Sequence, residues 1–177
     1  LIVRLLKSTS GKICFKDQDI TKLKGEKLRL LRRKMQIIFQ DPYASLNPRM
    51  KLGDAVGHPL EIHGLAKGEK KERIVSDVLD KVGLTPPKQF ITSYPHQLSG
   101  GQRQRAALAR SIILQPEFIV ADEPVSMIDV SLRTTIIDLM LNFRKELVLT
   151  YLFITHDFEV AKYISDRIAI MYLGKII

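Results

Sequence analysis

Short apolar runs that alternate with helical patterns constrain the fold of this chain more than any other feature. Three runs predict strands, namely Met35–Phe39, Phe118–Ala121 and Tyr151–Thr155. Polar residues follow each run, and helical spacing of apolar residues resumes further along the chain. Strands that alternate with helices favour an α/β fold with a mainly parallel sheet, because parallel neighbours need a crossover connection.

A long helical stretch between residues 50 and 115 interrupts this alternation. Apolar residues recur at helical spacing from Ile74 to Val82, and Gly83 stands where a helix-ending glycine is expected. We therefore expect an α-helical subdomain inserted into the α/β core. The predicted parts are 1–42 (partial core), 43–115 (helical subdomain) and 116–177 (core continued).

The two ends of the chain carry weaker patterns. Leu1–Leu6 is predicted as the last turns of a buried helix, and Arg167–Met171 as a strand. The start has no charged n-region and no small-residue cleavage site, so it does not resemble a signal peptide.

Composition narrows the function classes only in part. The 177 residues include 28 Lys and Arg against 19 Asp and Glu, a net charge of +9. This charge is compatible with nucleic acid, anionic lipid or a phosphate-bearing ligand. The single cysteine, Cys14, excludes an internal disulfide framework and a cysteine-based zinc site.

Polar residues at the ends of the predicted strands are candidates for chemistry. Asp122 and Glu123 follow one strand, where an Asp can hold Mg²⁺ and a Glu can orient or deprotonate a water. His156 follows another strand and can donate to a phosphate oxygen. Gln40 follows a third, just before a proline-rich loop. Each of these residues alone is more typical of a solvated strand end or helix start than of a functional site.

Ser99-Gly100-Gly101-Gln102 precedes a predicted helix that begins near Gln104. Two glycines at a helix start let backbone N–H groups approach an anion, and the helix dipole favours it. Ser99 is also a plausible N-cap, so an ordinary capped turn is the simpler alternative.

Taken together, these segments resemble one family, the ATP-binding-cassette (ABC) ATPases. Leu98–Gln102 matches their signature motif, and Phe118–Glu123 resembles their Walker B strand. Gln40 resembles the Q-loop glutamine, Ser126–Asp129 the D-loop, and His156 the switch histidine. The resemblance covers essentially the whole chain and implies a P-loop NTPase-like α/β core.

Finer features resemble the importer branch that takes up oligopeptides, dipeptides or nickel. These are the segments Gln40–Met50, Tyr94–Gln97 and Ala121–Ser126. Met127-Ile128 departs from the usual Ala-Leu of the D-loop, but both replacements are apolar.

The phosphate-binding loop of the family is absent from these residues. Its pattern is GxxxxGK followed by Ser or Thr, and Gly11-Lys12 fails it because Leu6 and Ile13 occupy the other required positions. We therefore expect an N-terminally truncated member of the family. The 177-residue chain alone should bind ATP weakly and not turn it over.

The resemblance implies roles for the matched residues. Asp122 would hold Mg²⁺ with Gln40, Glu123 would act on the attacking water, and His156 would contact the γ-phosphate of ATP. Gln40 would also act in catalysis, by sensing the γ-phosphate, Mg²⁺ and water and passing the change to the transmembrane partner. In a dimer of two such subunits, identical or different, Ser99, Gly100, Gly101 and Gln102 would serve the opposite subunit's nucleotide. Asp129 would lie at the dimer interface.

The resemblance also implies the setting of this ATPase. It would be peripheral to the cytoplasmic face of the membrane, bound to transmembrane permease subunits and served indirectly by a solute-binding protein. ATP hydrolysis would drive uptake of peptides or similar small solutes, with no nucleic acid partner.

Two alternatives stay open at this stage. One is an ABC-type ATPase acting on nucleic acid or in translation, although the short span between Gln40 and Ser99 leaves no room for a long coiled coil. The other is a non-catalytic, truncated subunit.

Overall fold

The computed structural model describes residues 1–42 and 45–177 in full; the side chains of Tyr43 and Ala44 lie outside the described part. The strands are β1 (Cys14–Phe15), β2 (Gln18–Asp19), β3 (Met35–Ile38), β4 (Phe118–Asp122), β5 (Thr150–Ile154), β6 (Met171–Tyr172) and β7 (Lys175–Ile176). The helices are α1 (Gly25–Lys34), α2 (Pro42–Ser45), α3 (Leu52–Ile62), α4 (Gly68–Lys81), α5 (Pro87–Ile91), α6 (Gly100–Ile112), α7 (Val130–Leu147) and α8 (Phe158–Ile164). A single 3₁₀ turn covers Pro95–Gln97.

A three-stranded parallel sheet forms the centre of the fold. Its strand order is β3-β4-β5, with Ile38 paired to Ala121 and Asp122 paired to Ile154. The β3–β4 connection contains α2 to α6, and the β4–β5 connection contains α7. The α/β class with a parallel sheet is therefore confirmed, and the carboxyl ends of all three strands lie at one edge.

Alternate residues of β4 serve two different apolar cores. Ile119 and Ala121 are fully buried and belong to the larger core, which includes residues of α3, α4, α6 and α7. Val120 belongs to a smaller core with Leu31 of α1 and Met35 of β3. This follows from the two-residue period of a strand, whose successive side chains point to opposite faces. The middle strand is therefore covered on both faces, as its continuous apolar run predicts.

The end of α4 confirms the predicted role of Gly83. Its φ is +74°, and its N–H donates to the Asp80 carbonyl at 2.8 Å. The next N–H, of Leu84, reaches back to the Leu79 carbonyl at 2.9 Å. This is the Schellman arrangement that terminates helices at a glycine.

Two predictions at the ends of the chain are wrong. Residues 2–6 form a turn and bends instead of a helix, with Leu6 69% exposed. Arg4 takes a left-handed conformation with φ of +59°, and the Val3 and Arg4 carbonyls accept from the Arg32 side chain, so the segment does not form helical turns. Residues 168–170 form no strand, and only Met171–Tyr172 pairs, in a hairpin with β7. Ile168 and Ile170 are exposed, so tertiary packing does not hold them extended.

None of the helices in the fully described ranges 1–42 and 45–177 has the length and apolar character needed to cross a bilayer. The division at residues 42/43 and 115/116 stays a proposal. The larger core runs across both boundaries, since it joins Ile38, Leu108 and Ile119.

Candidate functional site

Three of the predicted site residues converge at the carboxyl edge of the sheet. The Gln40 amide donates from Nε2 to Glu123 Oε2 at 3.0 Å. Nδ1 of His156 lies 3.0 Å from the other carboxylate oxygen of Glu123, Oε1. Glu123 thus stands between the other two, because its strand is the middle one of β3-β4-β5.

The backbone at the end of β4 fixes the position of Glu123. Its N–H donates to the Ile154 carbonyl at 2.9 Å, so pairing with β5 continues past the strand end. Its φ of +46° lies in the left-handed region, which is unusual for a residue with a side chain. Such conformations persist only when the surroundings hold them, and they concentrate at functional sites. The Glu123 side chain is 23% exposed, whereas that of His156 is 75% exposed.

Asp122 is the last residue of β4 and pairs with Ile154. Across residues 1–42 and 45–177 there is no cluster of three or more His, Cys, Asp or Glu side chains that could hold a metal. Mg²⁺ at phosphate sites is usually held by one or two carboxylates, waters and phosphate oxygens, so an all-protein cage is not needed. The Asp122 carboxylate and the Gln40 amide oxygen are oxygen donors that fit this pattern.

Ser99 and Gln102 form a reciprocal capping box at the start of α6. The Gln102 N–H donates to Ser99 Oγ at 3.3 Å, and the Ser99 N–H donates to Gln102 Oε1 at 2.9 Å. The helix begins at Gly100, so the two glycines form its first turn instead of preceding it. Capping therefore accounts for Ser99 and Gln102, and leaves the Gly100 and Gly101 N–H groups as donors at the positive end of the helix. In the described structure, no hydrogen bond or ion pair joins Ser99–Gln102 to Glu123.

Asp129 lies apart from the Glu123 group. It is the exposed N-cap residue of α7, but its side chain makes no capping hydrogen bond. The loop that carries it is tied to Glu123 through Ser126, whose N–H and Oγ donate to the Glu123 carbonyl at 3.1 and 3.0 Å.

Sequence reasoning missed two arginines beside these segments. Arg110 of α6 donates from Nη1 to the Ser45 carbonyl at 2.6 Å, and burial lowers the pKa of its guanidinium. Arg133 of α7 donates from Nε to the Ile128 carbonyl at 3.1 Å. Arg133 left a signal in the sequence, because a cation in the first turn of a helix opposes the dipole and points to another use.

Comparison with protein families gives a match to the ABC transporter model over residues 1–126. That range is well over half of the chain and includes Gln40, Ser99–Gln102, Asp122 and Glu123. The chain belongs to the ABC transporter family. Asp129 and His156 lie beyond the matched range.

Individual ABC proteins are similar over nearly the whole chain. The oligopeptide transport ATP-binding protein OppF of Bacillus subtilis is 50% identical over 179 residues, covering 99% of this chain and 58% of that protein. The glutathione import ATP-binding protein GsiA of Salmonella paratyphi A is 48% identical over 176 residues, covering 99% of this chain and 28% of that protein. The chain therefore spans little more than half of the first relative and less of the second.

A solved ABC structure shares the fold. It is a dimeric ATP-binding cassette in a post-hydrolysis state, bound to ADP and Pi, with a TM-score of 0.79 and 30% identity. The match covers 92% of this chain and 69% of that one. The ABC fold expected from the resemblance is thus confirmed, while the roles of individual site residues stay predictions.

Proposed function

We propose that this chain is the ATP-binding and ATP-hydrolysing part of an ABC importer subunit, which couples hydrolysis to uptake of oligopeptides or similar small solutes. The observation that carries the proposal is the convergence of Gln40 and His156 on the Glu123 carboxylate, with both contacts at 3.0 Å. The 50% identity to an oligopeptide transport ATP-binding protein supports the peptide class.

In the proposed reaction, Glu123 orients the attacking water and accepts its proton, as a carboxylate at hydrogen-bond distance can do. His156 holds the Glu123 carboxylate from one side and reaches the γ-phosphate through its exposed ring. Gln40 holds the same carboxylate from the other side. Phosphoryl transfer to water depends mainly on positioning and charge stabilisation, so these contacts are the main catalytic contribution of the carboxyl edge.

The oxygen donors at the end of β4 fit Mg²⁺. Asp122 would hold the ion, and the Gln40 amide oxygen would contribute because the Gln40 amide nitrogen donates to Glu123. When bound, Mg²⁺ would neutralise charge on the phosphate oxygens.

The signature segment would act on a second subunit's nucleotide. In the described part of the chain, no hydrogen bond or ion pair joins Ser99–Gln102 to Glu123, which is consistent with service to a site across a dimer interface. The exposed Asp129 would lie at that interface. The solved relative in this fold is a dimer.

The proposed setting is the cytoplasmic face of the cell membrane. The subunit would pair with a second ATPase subunit and bind transmembrane permeases, and a solute-binding protein would deliver the solute. The importer relatives support this setting, since their names assign them to oligopeptide transport and glutathione import.

The Glu123→Gln variant of the full-length subunit tests the hydrolysis step. We expect it to bind ATP but to lose steady hydrolysis by at least about a hundredfold, because the amide cannot accept the proton of the water. Nucleotide binding and phosphate release are measured side by side. Glu117→Gln is the matched control, since Glu117 precedes the same strand at the opposite edge and pairs with Lys34. Normal turnover in Glu123→Gln would contradict the proposal.

Uptake is tested separately in proteoliposomes that contain the full-length subunit and its permeases. We expect ATP-dependent accumulation of a labelled oligopeptide, and no accumulation with Glu123→Gln. ATP hydrolysis stimulated by nucleic acid but not by the permeases would instead support the alternative function.

A further inference from the structure

Arg133, in the first turn of α7, makes two hydrogen bonds to the Ser126–Asp129 loop and a longer ion pair to Asp157. Its Nε donates to the Ile128 carbonyl at 3.1 Å, and its Nη2 donates to the Ser126 carbonyl at 3.4 Å. Its Nη1 lies 3.9 Å from Asp157 Oδ2, and its side chain is 30% exposed. One guanidinium thus joins the loop before Asp129 to the residue after His156.

These contacts complete a closed series of contacts, called here the ring. Its members are Glu123, Ser126, Arg133, Asp157 and His156. Ser126 donates from both its N–H and Oγ to the Glu123 carbonyl. On the other side, Asp157 Oδ1 accepts from the N–H groups of Glu159 and Val160 and so caps α8. His156, directly before Asp157, contacts the Glu123 carboxylate at 3.0 Å. Arg133 is the side chain that connects the two halves of the ring.

The three acceptors around position 133 suit arginine better than lysine. A guanidinium presents five donors in a planar fork and can bond several acceptors at fixed angles, whereas a lysine ammonium acts as a compact point charge. A cation in the first turn of a helix opposes the helix dipole, and α7 has no acidic residue there to offset it. The two carbonyls and the Asp157 carboxylate provide that offset.

We infer that Arg133 is a positioning residue, which holds the Ser126–Asp129 loop and the His156–Asp157 segment at a fixed distance from each other around Glu123. The inference rests on the proposed function, since the positioned groups are those assigned to hydrolysis. Loss of the fork frees the two segments to move separately. The Glu123 carboxylate and the His156 ring, which must align with a phosphate, are then misplaced, while the rest of the nucleotide site is unchanged.

The test uses the full-length subunit with Arg133→Gln and Arg133→Lys. We expect kcat for ATP hydrolysis to fall about tenfold or more in Arg133→Gln, because misplacement of about 1 Å can cost up to a hundredfold. KM for ATP and the thermal midpoint of the subunit should stay near their wild-type values. Arg133→Lys should lie closer to Arg133→Gln than to wild type, since it keeps the charge but cannot bond both carbonyls.

Arg144→Gln is the matched control. Arg144 lies on the same helix, is 37% exposed and forms an ion pair at 2.7 Å with Asp166, which is outside the ring. We expect its kcat to stay within about twofold of wild type. An equal loss of kcat in Arg133→Gln and Arg144→Gln, or a change confined to KM, would overturn the inference.

Hydrogen exchange of the nucleotide-free protein separates this inference from the proposed function. The N–H groups of Ser126 and Ile128 are bonded to the carbonyls of Glu123 and Val125. We expect both to exchange faster in Arg133→Gln and to be unchanged in Arg144→Gln. Unchanged exchange in Arg133→Gln would overturn the inference, whether or not the subunit hydrolyses ATP. A wild-type subunit without ATPase activity would instead contradict the proposed function.

Discussion

Gly83 and Gly64 have the same backbone role but different surroundings. Both follow helix ends with positive φ, +74° and +65°. A Cβ at Gly64 would meet no atom within 4 Å, whereas a Cβ at Gly83 would lie 2.4 Å from Nη1 of Arg105. That nitrogen already donates to the Val82 carbonyl at 2.8 Å. Alanine substitutions at these two glycines therefore separate the cost of backbone strain from the cost of a lost side-chain contact.

We expect Gly64→Ala to lower the free energy of unfolding by about 1 kcal/mol, because the left-handed conformation costs L-residues about 1–2 kcal/mol. Gly83→Ala should cost about 1 kcal/mol more, since Arg105 must move away and lose its hydrogen bond. Urea unfolding of both variants measures the difference. Equal losses would show that the Arg105 contact contributes nothing.

Among the helices, α3 and α4 are joined through Lys71. Its ammonium lies 2.8 Å from Glu61 Oε1 and 3.1 Å from Asp54 Oδ1, both on α3. Its stem passes the backbone of Gly57, where a Cβ would lie 3.0 Å from the Lys71 Cδ. The side chain is only 14% exposed, so this interaction is less screened by solvent than a surface pair.

The Lys71 contact should make stability depend on pH. Hydrogen bonding to Lys71 holds the pKa of the Glu61 carboxyl below its ordinary value of 4.5. A carboxyl whose pKa is lowered by folding stabilises the protein above its unfolded pKa, and this stabilisation is lost as pH falls through the folded value. Lys71→Met, which keeps the apolar stem, should therefore lower the thermal midpoint at pH 7, and its difference from wild type should shrink as the pH falls below 4.5. Lys70→Met, on the exposed neighbour, is the control. A difference from wild type that does not shrink at acidic pH would contradict the role of Glu61.

Elements with strong periodic patterns were predictable, and those fixed by distant contacts were not. The run from Phe118 to Ala121 predicted β4, and the spacing up to Val82 with Gly83 predicted α4 and its end. β2 has only the polar pair Gln18–Asp19, whose pairing with β1 leaves no apolar signal. Leu1–Leu6 has an apolar pattern, but its Val3 and Arg4 carbonyls accept from Arg32 of α1, a distant contact that the pattern does not reveal.

The candidate site was likewise predictable from local patterns but not from distant contacts. The strand ends predicted that Gln40, Glu123 and His156 would lie at one edge of the sheet. Only the three-dimensional structure shows that Glu123 takes contacts from both sides, since this requires β4 to be the middle strand. Arg110 and Arg133 bond to backbone carbonyls, which the sequence does not identify, and only the position of Arg133 in the first turn of α7 indicates another use.

For the whole molecule, β5 is one of the two outer strands of the central sheet in the described structure. Its Leu152 and Ile154 are 36% and 44% exposed. Unpaired strand edges with apolar side chains favour association between chains, while the net charge of +9 opposes it. Salt screens charge repulsion but does not weaken strand pairing.

We therefore expect the 177-residue chain, studied alone, to self-associate more strongly as salt is raised. Leu152→Lys should suppress this association, because a charged side chain blunts an exposed edge. Leu30→Lys is the control, since Leu30 is 50% exposed on α1, away from β5. Sedimentation velocity at low and high salt measures the association. Equal suppression by both variants would rule out β5 as the associating edge.

The strand order also has a consequence for how the chain folds. The contact of Glu123 with His156 closes a loop of 33 residues, whereas its contact with Gln40 closes one of 83. Loop-closure entropy makes the longer closure costlier by about 0.8 kcal/mol. β4 and β5 should therefore pair early, and β3 should join after the helices between them have shortened the path. The three residues around the Glu123 carboxylate then come together in two stages, with the histidine first and the glutamine last.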